Sequence, residues 1–468
     1  MKTLKKTSLL FAALIALLSI SAFTGCSDPN DELKEGKTSI TFYARHFEDW
    51  SDEYTQSKVD EFNALEGNDV FIDLKIYEEN TYNDALVIAR ENGRAPDLFM
   101  SSYSSLPQDV REQNVSALDD YFDDSVWEDL YPSASEFVTF NGQKFAFPWF
   151  TEPGTMFFYR KDVLANVGYN EAPKTFNELY DAASKIMASG DLAIGQYALG
   201  LPADAGDLAW VSWGLQYNLT DGLAVTEDWL TSRLDNPGYK ELARFFYECA
   251  HKGYSNTSRI TADGYSNLVE ALFDGNLMMS WGGSWQIALL HTLAEEQGKE
   301  EMLEKIGVAP LPTLDGDHSK TTTANGGWCY TMSDTSSAEK KNAVAKFIQW
   351  LFVDNPENIG QYFVSACMSR QPASKKVSEY LDTVETGVDP NWIAAMRDVA
   401  ALGKKEALYP WDISYAVANM LQECIMTKSP SFEGAYITAY ATAAKEIETI
   451  MSRESYTGNP WYSPEGVS

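Results

Sequence analysis

Near the start of the chain, apolar side chains recur at every second position of residues 70–76. This is the period of a β-strand that buries one face. Two further runs, 39–43 and 95–100, are rich in strand-forming residues. The segments 51–65 and 81–91, which separate the three strand-like runs, carry apolar residues at helical spacing. The order strand, helix, strand, helix, strand predicts parallel strands joined by right-handed crossovers, and so an α/β fold.

Polar residues that follow these strands are the first candidates for a binding site, because ligands of open parallel sheets lie at the carboxyl ends of strands. Residues 45–48 follow the first strand, and residues 97–103 accompany the third. We therefore expect Arg45 and Asp97 at the rim of a ligand cleft.

The segment 145–162, which reads FAFPWFTEPGTMFFYRKD, holds two strand-like runs on either side of a break. Pro148 and Pro153 bracket the break, which also contains Trp149 and Glu152. Proline cannot donate to a sheet ladder and is confined to strand ends, edges and bulges. We therefore expect the chain to leave one sheet between the two prolines and to enter a second one.

Capping patterns predict where later helices begin. They occur at 175–178, 336–339 and 389–390, each with a polar N-cap residue ahead of an apolar helical pattern. Glycine, proline and serine are frequent in residues 456–468, which predicts a loose C-terminal tail.

The first 25 residues have the composition of a secretory signal, with basic residues followed by a short apolar run over 9–23. This run is shorter than the ~20 residues of a spanning helix. Cys26 follows Gly25 and resembles the cysteine of a lipobox, although Phe23 replaces the usual leucine. The resemblance implies a lipid anchor at Cys26, with residues 26–37 as a polar tether. A secreted protein without an anchor is the alternative.

The chain of 468 residues is 44% hydrophobic and 22% charged, which is a globular composition. The part after the leader is too long for one core and predicts two or three domains. The formal net charge is −32, and the leader holds three lysines and no acid, so the exported chain is still more acidic. Such a charge argues against a nucleic-acid partner and favours a neutral or cationic ligand.

Sequence signatures of metal and cofactor enzymes are missing. The chain has four histidines and lacks HExxH, GxGxxG, Walker and GxSxG motifs, so we expect no metal and no cofactor. No CxxC pair occurs, which favours free buried thiols over metal or redox sites, although four cysteines could form two disulfides. These cysteines are Cys249, Cys329, Cys367 and Cys424.

Residues 160–178 resemble a signature of the extracellular solute-binding proteins of bacterial ABC importers, the maltose-binding group. The residues that carry it are Arg160, Lys161, Asp162, Gly168, Pro173, Thr175, Phe176 and Glu178. Arg160 stands where asparagine is usual, and Phe176 where tryptophan is usual. Weaker matches to the same family follow in the correct order at 268–290, 306–312, 325–328 and 369–372.

The resemblance covers residues 39–453 and implies a two-lobed binding-protein fold, in which each lobe is a mostly parallel sheet flanked by helices. Three crossings would join the lobes. The first lobe would contain 38–149 plus 311–372, and the second 150–310 plus 373–455. Members of the family are monomeric binding proteins rather than enzymes. The resemblance therefore implies a carbohydrate ligand, an ABC permease as partner, and a location on the outer face of the cell membrane.

Aromatic residues make up 13% of the chain and gather near the predicted crossings and strand ends. Sugar rings have apolar C–H faces and hydroxyl rims, so aromatic faces combined with carboxylate and guanidinium groups suit them. The candidate ligand-binding residues are Trp285, Trp281, Glu152, Trp149, Asp97, Arg45, Trp328, Arg370, Trp411 and Asp412. Packing in a core is the alternative for each tryptophan. The alternative is a cap for Asp97, an exposed acid at a strand end for Glu152, and a pair that bridges the lobes for Arg370.

Trp285 is the strongest of these candidates. It follows Gly282, Gly283 and Ser284, and glycine lets the backbone approach a ligand closely. Its position also matches the sugar-stacking tryptophan of the family's second lobe. Trp281 would share its helical face, or would pack inward if the segment is a strand.

Two other functions use similar residues. A binding protein for a polyamine or quaternary amine would place an acid within an aromatic cage. A glycoside hydrolase would need two carboxylates among aromatic rings, but no acid and nucleophile pair is recognisable in the sequence.

The lipobox interpretation can be tested directly. Cys26→Ser should move the protein from the membrane fraction to the soluble fraction, because the acylated thiol is its only predicted anchor. Fractionation with lipid analysis measures this, and a variant that still carries lipid and sediments with membranes would disprove the anchor.

Overall fold

The structure is a computed structural model that describes residues 34–256, 265–453 and 455–461. Residues 1–33 lie outside the described residues, and so do the predictions of a signal peptide, of lipidation at Cys26 and of most of the tether, which fall on them. Within the described ranges, none of the helices is long and apolar enough to cross a membrane.

Most of the strands belong to two sheets. The strands are β1 (Thr38–Arg45), β2 (Val70–Tyr77), β3 (Leu98–Ser102), β4 (Thr139–Phe140), β5 (Gln143–Lys144), β6 (Phe147–Pro153), β7 (Met156–Arg160), β8 (Tyr197–Leu199), β9 (Leu277–Gly282), β10 (Ile306–Ala309), β11 (Ala324–Met332), β12 (Gln371–Pro372) and β13 (Lys404–Lys405). One sheet has the order β12-β6-β11-β3-β1-β2, with β13 paired to β11, and the other has the order β10-β7-β9-β8. Strands β4 and β5 form a separate hairpin.

Helices cover both sheets. They are α1 (Asp49–Ala64), α2 (Glu79–Glu91), α3 (Leu106–Arg111), α4 (Asp124–Glu128), α5 (Pro132–Val138), α6 (Lys161–Asn166), α7 (Phe176–Ala188), α8 (Ala205–Val211), α9 (Trp213–Thr220), α10 (Pro237–His251), α11 (Tyr265–Phe273), α12 (Gln286–Gln297), α13 (Glu301–Lys305), α14 (Ala338–Gln349), α15 (Pro356–Ser365), α16 (Lys375–Leu381), α17 (Pro390–Leu402), α18 (Trp411–Met426) and α19 (Phe432–Met451). A 3-10 turn at Asp119–Tyr121 and a π-helical turn at Trp350–Asp354 complete the helical elements.

The predicted β-α-β-α-β unit is confirmed. β1 pairs in parallel with β2 from Thr38 opposite Val70 to Arg45 opposite Tyr77, and it also pairs in parallel with β3. Strand β11 then runs antiparallel to both β3 and β6, so the first sheet is mixed. The carboxyl ends of β1 and β3 therefore lie at one edge, where residues 46–48 and 103–105 leave the sheet.

The buried apolar residues form two large clusters, one around each sheet. Phe150, Val377 and Leu381 belong to the first cluster, whereas Leu311 and Val388 belong to the second. Packing at these positions differs from the expected lobe boundaries, because Val377 and Leu381 pack around the first sheet and Leu311 packs around the second. Strand β6 also stays in the first sheet up to its last residue.

The first crossing between the lobes lies later than the two prolines predicted. β6 continues through Pro148 to Pro153, and the break falls at Gly154 and Thr155. A register shift between Trp328 and Cys329 of β11 lets the ladder pass this part of β6. Such a bulge accommodates an extra residue, which explains how a proline-containing segment remains a strand.

Two of the three capping predictions are confirmed. Thr175 and Glu178 form the reciprocal capping box of α7, and Asp389 caps α17. At the third position Ser337, not Ser336, accepts the hydrogen bond from the Lys340 amide. The four cysteines at 249, 329, 367 and 424 are all free.

Candidate functional site

The Arg370 side chain joins three elements of the first lobe where that lobe meets the crossing. Its Nε donates to Glu152 Oε2 at 3.0 Å, its Nη2 to Glu48 Oε1 at 2.9 Å, and its Nη1 to the Tyr362 hydroxyl at 2.7 Å. Only 2% of Arg370 is exposed. Since a buried charge is tolerated only when it is paired and hydrogen-bonded, these contacts fix β6, the β1–α1 loop and α15 relative to one another.

Aromatic rings surround the same guanidinium group. Its carbon lies 5.1 Å from the Phe150 ring centre, 5.6 Å from Tyr362, 5.7 Å from Phe47 and 5.8 Å from Trp50. Because its three nitrogens are engaged and its faces are covered, Arg370 acts in this structure as a support for two carboxylates. Burial raises the pKa of Glu152, and the Arg370 charge opposes that rise.

Arg45 lies on the other side of this cluster, at the carboxyl end of β1. Its guanidinium carbon is 4.5 Å from the Phe47 ring centre and 5.0 Å from that of Trp328. The two rings meet edge to face at 5.1 Å. Arg45 also pairs with the exposed carboxylate of Glu79. The first lobe thus presents an aromatic and cationic surface next to Glu152.

A third carboxyl, Glu406, follows β13 on the opposite side of β11. A Cβ added to Gly326 of β11 would collide with the Glu406 carboxyl. The Glu406 side chain therefore lies directly over β11. Its Oε2 is buried without a hydrogen-bond partner. Burial, together with the Glu152 charge, raises the pKa of Glu406 to about 8, although a hydrogen bond with Ser104 opposes the rise.

The second lobe brings two tryptophans to the crossing. The amide of Ser284 donates to the Pro153 carbonyl at 3.0 Å, which ties the β9–α12 turn to the end of β6. Trp285, in that turn, lies 5.7 Å from Trp210 between ring centres, with 33° between their planes. A Cβ on Gly283 would lie 2.0 Å from the Trp285 ring, so this glycine makes room for the tryptophan itself.

Trp411 begins α18 and forms another part of the second-lobe surface. It is 37% exposed, and its ring centre lies 5.5 Å from that of buried Trp213. Its neighbour Asp412 pairs with Arg453 at 2.7 Å, an ion pair in which both side chains are about half exposed.

Three of the candidate residues lie away from any open surface. Trp149 is 1% exposed and packs 4.4 Å from Tyr362, and Trp281 is 0% exposed within the second core. Asp97 precedes β3 and therefore lies at the amino end of that strand, where it accepts hydrogen bonds from the Ser336 hydroxyl at 2.5 Å and Lys340 Nζ at 2.8 Å. Trp149 and Trp281 thus occupy core positions, which was the alternative for each tryptophan, whereas Asp97 forms an ion pair with Lys340 rather than a cap.

Glu152 therefore lies with Arg370 and Arg45 in the first lobe, and Trp328 lies beside Arg45. The hydrogen bond from Ser284 to Pro153 brings the turn that holds Trp285 next to the end of β6, where the first crossing begins. Sequence reasoning missed several residues that shape this region. They are Phe47, Glu48, Ser104, Trp210, Tyr362 and Glu406. Phe47 and Glu48 lay within the segment expected after β1, whereas Glu406 follows a two-residue strand that has no alternating pattern.

The residues that the structure describes contain no group of three or more His, Cys, Asp or Glu side chains that could hold a metal ion.

Residues 49–354 match the family described as bacterial extracellular solute-binding protein, and this chain belongs to that family. It is 23% identical to the maltotriose-binding protein of Pyrococcus abyssi over 306 residues, which are 65% of this chain and 60% of that protein. It is 28% identical to a probable ABC transporter-binding protein of Deinococcus radiodurans over 222 residues, 46% of this chain and 49% of the relative.

Among solved structures, maltose-bound MalE3 of T. maritima matches 88% of this chain and 99% of its own, at 20% identity and a TM-score of 0.70. This likeness confirms the predicted two-lobed binding-protein fold. The chain spans 60% and 49% of the two curated relatives that it matches.

The raised pKa of Glu406 predicts a pH dependence of stability. The folded protein holds the proton up to a pH of about 8, whereas the unfolded chain releases it near the ordinary value of 4.5. Folding stability should therefore fall as the pH rises from the unfolded toward the folded pKa, and level off above it. Glu406→Gln, which keeps the shape without the titration, should gain stability over the wild type on the order of a few kcal/mol at about pH 9.

Urea unfolding of both proteins at about pH 5 and about pH 9 measures this difference. The exposed Glu295 provides a matched control, because Glu295→Gln should follow the wild type at both values. Parallel loss of stability in the wild type and Glu406→Gln would show that Glu406 does not hold a proton in the folded state.

Proposed function

We propose that this protein captures a sugar or oligosaccharide between its lobes and delivers it to the membrane permease of an ABC importer. The observation that supports this most is the pairing of aromatic surfaces from both lobes around Glu152. Trp285 with Trp210 lies on one side of the crossing, and Trp328 with Arg45 on the other. Aromatic faces suit sugar C–H surfaces, and carboxylate and guanidinium groups suit hydroxyl rims.

In this proposal Trp285, Trp328, Arg45 and Glu152 contact the ligand, and Trp411 extends the aromatic surface of the second lobe. Arg370 positions Glu152 and Glu48 from behind. Trp149 and Trp281 support the two walls from within the cores. Asp97 and Asp412, which were candidates from the sequence, take structural roles because both are engaged in ion pairs.

Ligand capture then proceeds by rotation of the two lobes about their crossings. The first crossing at Gly154 and the second near Ala324 are adjacent, because the Gly154 amide donates to the Ala324 carbonyl at 2.9 Å. Adjacent crossings give a narrow hinge, about which rigid lobes can close. A ligand that contacts both walls binds the closed form preferentially and shifts the balance toward it.

The proposed partners follow from the family. Relatives include a maltotriose-binding protein and a probable ABC transporter-binding protein. We propose a monomer that is exported by its leader and anchored by lipid at Cys26 to the outer face of the cell membrane, where it docks on its permease. Its relatives are binding proteins, and we propose no catalytic step for this chain.

A cationic ligand, such as a polyamine or a quaternary amine, is the second candidate. Glu406 supports it, because this carboxyl lies close enough to Glu152 for its pKa to rise and has no basic partner of its own among the described contacts. An ammonium group could take the place of the missing cation and stack on the neighbouring rings.

A thermal-shift screen with the full-length protein separates these functions. Maltose, maltotriose and longer oligosaccharides should raise the unfolding midpoint, because a ligand that binds only the folded state stabilises it. Spermidine and choline serve as the cationic comparison. A shift with the amines alone would replace the sugar proposal, and release of shorter sugars on long incubation would favour a hydrolase.

The proposed platform is tested by Trp285→Ala. Loss of an aromatic stacking face should remove about 1–3 kcal/mol of binding energy by analogy with base stacking, which is roughly tenfold to a hundredfold in affinity. The unfolding midpoint should change little, because Trp285 is only partly buried. Calorimetric titration with a sugar identified in the screen, together with urea unfolding, measures both effects.

Trp281→Ala is the matched control. Its ring is 0% exposed, so its loss should destabilise the fold by ~3–5 kcal/mol, as for other buried aromatic residues. A Trp285→Ala variant that binds normally but unfolds as early as Trp281→Ala would assign Trp285 to the core.

A further inference from the structure

Residues 455–461 return from the second lobe and contact both lobes, although the sequence predicts a loose tail here. The ring of Trp461 lies 4.8 Å from the Phe140 ring and 6.2 Å from the Trp229 ring, measured between centres. Phe140 belongs to the core of the first lobe, and Trp229 to that of the second. Trp461 is thus packed against both cores.

The segment before Trp461 is bound to a single turn of the second lobe. The Tyr456 hydroxyl donates to the Trp229 carbonyl at 2.5 Å, and the Asn459 amide donates to the Asp228 carbonyl at 2.9 Å. The Asn459 side chain adds a hydrogen bond to the Glu227 carbonyl at 2.8 Å. All three acceptors are backbone carbonyls of the turn, and the Asn459 amide ties the tail backbone itself to that turn.

The backbone conformations of Gly458 in the tail and Trp229 in the turn indicate that the contact between them is specific. Gly458 has a φ of +74°, and a Cβ there would lie 2.8 Å from the Asp228 carbonyl oxygen, so the close approach requires glycine. Trp229 has a φ of 59°, which is unusual for a bulky residue. Such a conformation persists only where the surroundings determine it, and the tail supplies three hydrogen bonds to this turn.

The first-lobe partner is equally fixed. Phe140 is 4% exposed and ends strand β4, which follows α5 directly. On the same side, Lys405 of β13 pairs with Glu136 of α5 at 2.9 Å. The tail and β13 therefore both contact the segment 136–140, which runs from α5 into β4.

We propose that residues 455–461 form a strap between the lobes and that Trp461 is a positioning residue, which holds the lobes in the arrangement described here. A rotation about the crossings moves Phe140 relative to Trp229, and Trp461 cannot stay in contact with both. The strap thus adds a stabilising contact to one interlobe arrangement. This inference goes beyond the proposed function, because it applies whatever ligand the protein binds.

The interlobe distance distribution tests the strap without any ligand. Spin labels at Glu66→Cys and Glu296→Cys, which are exposed positions on opposite lobes, would be used in a Cys367→Ser background of the full-length protein. Trp461→Ala should broaden the distribution. The population outside the main arrangement should rise about 2- to 12-fold. This is the change in the equilibrium when one aromatic contact worth ~0.5–1.5 kcal/mol is lost.

Conservative and partner variants make the test specific. Trp461→Phe should restore much of the wild-type distribution, since it keeps an aromatic ring. Phe140→Leu should broaden the distribution as Trp461→Ala does. The double variant should broaden it little further, because both single changes break the same contact between Trp461 and Phe140.

The strap is disproved if Trp461→Ala keeps the wild-type distribution, whether or not its unfolding midpoint falls. It is also disproved if the effects of Trp461→Ala and Phe140→Leu add in full. Neither result bears on ligand identity, so the proposed sugar-binding function is judged separately by the ligand screen.

Discussion

The buried guanidinium of Arg370 is the interaction on which the candidate site depends. It holds Glu152 of β6, Glu48 after β1 and the Tyr362 hydroxyl of α15 in one hydrogen-bonded group. Each partner comes from a different part of the chain, so this one side chain sets their relative positions. Removal of one member of a buried charged group leaves an uncompensated charge, which makes such groups structurally demanding.

The balance of charge around this group explains why the site suits hydrogen-bonding ligands. Arg370 neutralises two carboxylates, and Arg45 is held by Phe47 and Trp328 rather than by a buried acid. Glu406 remains without a cation, and burial keeps its proton in place near neutral pH. A protonated carboxyl donates a hydrogen bond, whereas an ionised one only accepts. The protonation state of Glu406 therefore affects both β13 and the region beside it.

The two lobes are joined by more than their covalent crossings. The Ser284 amide bonds to Pro153, and Trp461 contacts both cores. The first of these contacts lies directly beside the crossing at Gly154, where a small change in local geometry becomes a larger displacement at the ends of the lobes. The interlobe arrangement is therefore a property of several weak contacts, each of which a substitution can remove.

Local patterns in the sequence were sufficient for the elements whose stability is local. The alternation over 70–76, the capping box at Thr175 and the N-cap at Asp389 each depend on residues only a few positions apart, and the structure confirms all three. The family resemblance added the two-lobed fold. The resemblance did not locate the first crossing, because a bulge at Trp149 lets β6 continue past Pro148 to Pro153.

The composition of the chain determined that aromatic and acidic residues would be available, but only the tertiary structure decided which of them face one another. Trp281 and Trp285 are four residues apart, yet one is buried in a strand and the other lies in the following turn beside Trp210. Likewise, Glu48, Glu152 and Glu406 share no local pattern. Their proximity arises from the crossing of distant strands, and such long-range contacts leave no periodic signal in the sequence.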